Sequence, residues 1–78
     1  MNTIAEKWTE YECLLDEKAG AIQRKETKRA FYAGAMAFMV ITMRIGEKEI
    51  SEEAGCAMMM GLEEELKLFA KQVIKGEV

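Results

Sequence analysis

Apolar side chains recur along this chain at steps of three and four, the spacing that lines one face of an α-helix. Ile4, Trp8, Tyr11 and Leu15 fall on such a stripe and predict a first helix over about residues 3–18. Ala19, Gly20 and Ala21 mark its end or a kink, because glycine costs about 1 kcal/mol in a helix interior relative to alanine. Tyr32, Met36, Met39 and Met43 repeat the pattern in a second helix over about residues 22–44, and Gly46 fits the left-handed residue that closes it. Ser51 followed by Glu52 and Glu53 fits a capped helix start, with acids in the first turn complementing the dipole. The third helix, over about residues 51–75, carries Gly55, Met59, Leu62, Leu66, Phe69 and Val73 as a coiled-coil-like seam. The expected fold is all-α: a short leading helix plus a long antiparallel helical hairpin, with the bundle completed by homo-oligomerisation.

The stretch from Ala30 to Met43 carries almost no polar side chain on any face. A helix apolar all round must be covered all round, by core, partner or lipid. Its length of ~21 Å at 1.5 Å per residue falls short of the ~30 Å hydrocarbon layer, so a membrane span is not expected. Ala30 and Gly34 lie one turn apart, as do Ala33 and Ala37, and admit another helix closely, inside the bundle or across a dimer face.

Composition points the same way. With no proline and six glycines in 78 residues, helix is favoured nearly everywhere. A domain this short buries only about 60% of its unfolded surface and usually needs disulfides, metal or self-association. Cys13 and Cys56, without an N-terminal signal segment, predict reduced thiols in a cytoplasm rather than a secreted disulfide framework. With no histidine and two isolated cysteines, no zinc site and no cofactor are expected. Oligomerisation with itself remains.

Chemistry at a catalytic centre is not expected either. Histidine is absent, Ser51 is the only serine and is taken by a cap, and neither cysteine has a base in sequence reach. Glu63, Glu64 and Glu65 point about 100° apart on a helix and form a solvated face, not a metal cage. The net charge of −3 is uneven: residues 1–22 carry two lysines against five acids, whereas residues 23–29 carry four bases against Glu26 alone. One short basic block on an acidic chain excludes general duplex nucleic-acid binding, which neutralises many phosphates, but it can hold one small anion.

Within that block Arg24 and Lys28 are separated by one helical turn, as are Lys25 and Arg29, and each like-charge pair opposes the helix by roughly 0.2–0.5 kcal/mol. Something must compensate. Either acids of the first helix such as Asp16 and Glu17 neutralise the block or the helix simply projects into water, or its bases share a site with aromatic rings. The second alternative assembles Trp8, Tyr11, Arg24, Lys25, Lys28, Arg29 and Tyr32, rings for stacking a nucleobase and cations for its phosphate. The methionines Met36, Met39, Met43 and Met58 to Met60 are core filling or a soft surface for a partner helix.

Trp8-x-x-Tyr11, followed by Gln23-x-x-Glu26-x-Lys28-Arg29-Ala30-Phe31-Tyr32-Ala33-Gly34-Ala35, resembles a group of small uncharacterised helical proteins encoded by bacteriophages and prophages. The likeness covers most of the chain and is most specific in the Arg-Ala-Phe-Tyr-Ala-Gly-Ala stretch. It implies a phage origin and a bacterial host cytoplasm, where small accessory proteins counter host defence, some of them as homo-oligomers that sequester cyclic nucleotide signals. A homo-oligomeric sponge for such a signal is therefore the first expected function. A module that inhibits or recruits a host protein through an apolar, Met-rich helix face is the second.

Overall fold

Thr3 starts the first helix: its extended backbone (φ −100°, ψ 160°) lets its hydroxyl accept from the Glu6 amide at 3.1 Å. In the computed structural model, which describes residues 2–77, that helix is α1, Ile4–Glu12. Two longer helices follow, α2 (Ala21–Ile45) and α3 (Glu52–Ile74), and no strand occurs among the described residues. The chain forms two units, Met1–Val40 and Ile41–Val78, with α2 contributing to both.

Although the apolar steps run on to Leu15, α1 stops at Glu12 rather than near residue 18. The amides of Leu14 and Leu15 bond three residues back, to Tyr11 and Glu12, tightening the last turn. Asp16 then diverts the chain: its carboxylate accepts from the Lys18 amide at 2.8 Å and its carbonyl from the Ala19 amide at 2.9 Å. Such a local side-chain bond offers the backbone an alternative to helix, and here it overrides the periodicity. The Gly20 carbonyl accepts the Arg24 amide and opens α2.

The expected left-handed closure at Gly46 is not found, because Gly46 has no positive φ. Instead α2 ends by tightening, with the Gly46 amide shared between the Thr42 and Met43 carbonyls at 3.3 and 3.2 Å. The left-handed glycine is Gly76, φ 75°, beyond α3. There the Glu77 amide reaches the Gln72 carbonyl and the Gly76 amide the Val73 carbonyl, the paired bonds of a Schellman closure. The start of α3 follows the sequence pattern: Ser51 Oγ accepts from the Ala54 amide at 3.1 Å, ahead of Glu52 and Glu53.

Among the described residues Trp8 is the single buried large hydrophobic, 5% exposed. It packs edge-on against Phe31, with ring centroids 5.5 Å apart, and against Tyr11 at 6.1 Å; Tyr11 in turn lies 5.5 Å from Phe31. This aromatic triad joins α1 to α2 in the first unit. In the second unit Gly55 is buried because α3 passes close to the end of α2. The covered positions of α2 are Arg24, Thr27, Phe31 and Ala35, and further on Thr42 and Ile45. The stripe read from the sequence as the seam, Tyr32, Met36, Met39 and Met43, is exposed, from 38% at Tyr32 to 66% at Met43. With apolar residues on every side of this helix the steps of three and four fit several stripes, and the docking of α1 on Phe31 selects a different one. On α3, Leu62 of the expected seam is half-buried, and Met59, Leu66, Phe69 and Val73 are exposed.

Candidate functional site

Positions 25, 28, 29 and 32 lie three, four and seven residues from the first, so a helix brings them onto one face. On α2, Lys25, Lys28, Arg29 and Tyr32 line one open depression of ≈ 410 Å³. Four of the seven residues expected at the site thus meet. Arg29 Nη1 lies 3.4 Å from Glu26 Oε1, one turn away on the same helix, with both side chains well exposed. Among the described residues neither Lys25 nor Lys28 forms an ion pair.

The other three take other places. Arg24 turns away from the depression and back along the linker, where Nε donates to the Ala19 carbonyl and Nη2 to the Asp16 carbonyl, both at 3.3 Å. Its Nη1 also lies 3.8 Å from Glu12 Oε2, at the end of α1. Trp8 is interior. Tyr11 is exposed, with its ring 5.5 Å from that of Phe31. Phe31 links the two groups, since its ring also lies edge-on to Tyr32 at 6.2 Å. Neither Asp16 nor Glu17 pairs with Lys25 or Arg29; the Asp16 carboxylate is engaged with the Lys18 amide.

The like-charge strain within the block is relieved by three separate means. Arg24 is drawn to carbonyl oxygens and Glu12, Arg29 leans on Glu26, and Lys25 and Lys28 face water. Glu12, Glu26 and Phe31 are not among the site residues that the sequence predicts. A signal existed for Glu26, three residues before Arg29, and for Phe31 inside the aromatic pair, but none for Glu12.

Comparison of the chain with known protein families, curated proteins and solved structures gives no match. The site therefore rests on its own chemistry. Two lysines without an ion-pair partner among the described residues, an arginine in an exposed pair with Glu26 and a tyrosine ring make a shallow positive surface with one aromatic wall. Cations of this kind form short charge-assisted bonds to phosphate or carboxylate oxygens, and an exposed ring takes a planar base on its face. Among the described residues no group of three or more acids and cysteines is arranged to hold a metal ion. No described helix is long and apolar enough to cross a membrane.

Proposed function

We propose that the chain is a binding protein, not an enzyme: a phage-encoded homo-oligomer that takes up a small anionic ligand and sequesters it in the host cytoplasm. A cyclic nucleotide immune signal is the class that fits, because it offers phosphates to Lys25, Lys28 and Arg29 and a base to Tyr32. The observation that carries this reading is the open depression on α2 with its two lysines, which form no ion pair among the described residues. The phage setting comes from the resemblance of the Trp8-x-x-Tyr11 and Arg29-to-Ala35 segments. The deciding experiment is a thermal-shift panel of cyclic oligonucleotides. Ligand at 100 times its dissociation constant adds ~2.7 kcal/mol and raises the melting temperature. A flat response across the panel sinks the proposal.

Replacing Lys25 or Arg29 with alanine should lower ligand affinity about tenfold or more, since each charge-assisted contact is worth roughly 1.5–3 kcal/mol. Ligand-free stability should hardly change or rise slightly, because a like-charge neighbour disappears. Titration and melting of both variants separate this from a structural role, which would lower stability and leave affinity intact.

Self-association belongs to the same proposal, with the helical bundle completed by further copies. Its support is the single buried large hydrophobic in the described chain, set against exposed Met36, Met39, Val40 and Met43 on α2 and Leu66, Phe69 and Val73 on α3. Met39→Glu places a charge on this surface and should dissociate the assembly. Sedimentation of an unchanged oligomer would show that the contact lies elsewhere. The exposed methionines also support the second reading, a soft face for a host protein. That reading gains if Met39→Glu abolishes host-protein capture while the nucleotide panel stays flat.

A further inference from the structure

Arg24 was grouped by sequence with the basic block, yet it is the one base of that block whose side chain is engaged in three directions at once. Its guanidinium is part-buried and spans from the last residue of α1, Glu12, to two carbonyls of the linker, those of Asp16 and Ala19. A planar fork with five donors on three nitrogens suits this task, whereas a lysine ammonium has its three donors on a single nitrogen and cannot span the same partners. The linker it grips is otherwise tied by short local bonds, those of Leu14 and Leu15 back to Tyr11 and Glu12 and those of Lys18 and Ala19 to Asp16.

We propose that Arg24 is a positioning residue of the anion site and not one of its ligand contacts. By gripping Glu12 and the linker it holds the end of α1 that Asp16 defines, and so keeps Trp8 and Tyr11 against Phe31. Phe31, flanked by those rings, supports Tyr32, the aromatic wall of the depression. Releasing Arg24 frees α1 to leave α2, because Trp8 is the only large side chain of α1 that is buried. The depression then keeps its cations and loses the support of its ring.

The role in the site rests on reading the depression as an anion site, but the effect on α1 does not, and Trp8 reports that effect directly as the only tryptophan of the chain. The experiment uses full-length Arg24→Ala, Arg24→Lys and Glu12→Gln proteins, with tryptophan emission recorded without ligand and affinity measured for cyclic di-AMP as probe. Arg24→Ala should move Trp8 emission to longer wavelength, as for an indole in water, while most far-ultraviolet helicity is retained. Arg24→Lys and Glu12→Gln should move it less. If α1 is docked in about one molecule in ten, apparent affinity falls by up to about tenfold, less where the cations alone still hold the probe. Should Arg24→Ala fail to fold, Glu12→Gln gives the same reading with the arginine in place.

Unchanged emission in Arg24→Ala together with unchanged affinity overturns the proposal. Lost affinity with unchanged emission overturns it as well, by making Arg24 a direct contact. Failure of the wild-type protein to bind the probe counts against cyclic di-AMP at the anion site and leaves the emission shift to decide whether Arg24 positions α1.

Discussion

Replacing Trp8 with alanine should lower stability by about 3–5 kcal/mol, the largest effect expected of any single substitution in the chain. Trp8 is 5% exposed and fills the space between Tyr11 and Phe31, so its removal leaves both rings without their common neighbour. No other buried large hydrophobic among the described residues can compensate. A domain of this size has roughly 4–12 kcal/mol to lose, at 0.05–0.15 kcal/mol per residue. Each kcal/mol corresponds to roughly 4–8 °C in melting temperature. Circular dichroism melts should therefore show a drop of at least roughly 12 °C, and proteases should cut sooner within residues 13–20 as α1 detaches. Trp8→Phe, which keeps a ring against Phe31, should lose much less. A melt of Trp8→Ala within a few degrees of wild type would mean that the aromatic triad does not hold α1.

In the second unit the corresponding weak point is Gly55. A Cβ there would lie 3.1 Å from Ile45 Cγ2, 3.8 Å from the Ile45 carbonyl oxygen and 3.9 Å from Ile50 Cγ2. Gly55→Leu should overpack this contact and cost roughly 1–3 kcal/mol, since the nearby Ile45 carbonyl is backbone and cannot rotate aside. Gly55→Ala is the informative partner. Only the Ile45 methyl must move, by a few tenths of an ångström. The gain of about 1 kcal/mol in helix propensity offsets that displacement. Alanine should therefore melt near wild type and leucine clearly below it. Equal melting of all three proteins would show that the approach of α3 to Ile45 imposes no restriction.

Both predictions concern positions that periodicity does not rank. Trp8 and Gly55 were each one member of a stripe, and nothing in the spacing marked them as the two covered points of their units. Burial depends on what arrives from elsewhere in the chain. For Trp8 that is Phe31, more than twenty residues on; for Gly55 it is Ile45, across the turn.

Features written in a few consecutive residues were legible. The all-helical class followed from composition and from steps of three and four. The Ser51 cap followed from one hydroxyl placed before two acids, because a cap is a bond between neighbours in sequence. The grouping of Lys25, Lys28, Arg29 and Tyr32 was legible for the same reason, since helical geometry alone puts those spacings on one face.

Tertiary structure decided what local rules leave degenerate. The inward face of α2 is an example: its middle is apolar on all sides, so the hydrophobic pattern has no direction, and contact with α1 chose Phe31 over the Tyr32 to Met43 stripe. Arg24 is another. Its charge was plain, but its destination was set by carbonyls that became available only because Asp16 ended the helical path early. The left-handed glycine proved to be Gly76 and not Gly46, because a helix end can close by tightening as well as by reversal and the surrounding chain selects between them. Short-range bonds and helical spacing are thus properties of the sequence by itself. Which face is covered, and where a long charged side chain reaches, are set by whichever distant group comes to meet them.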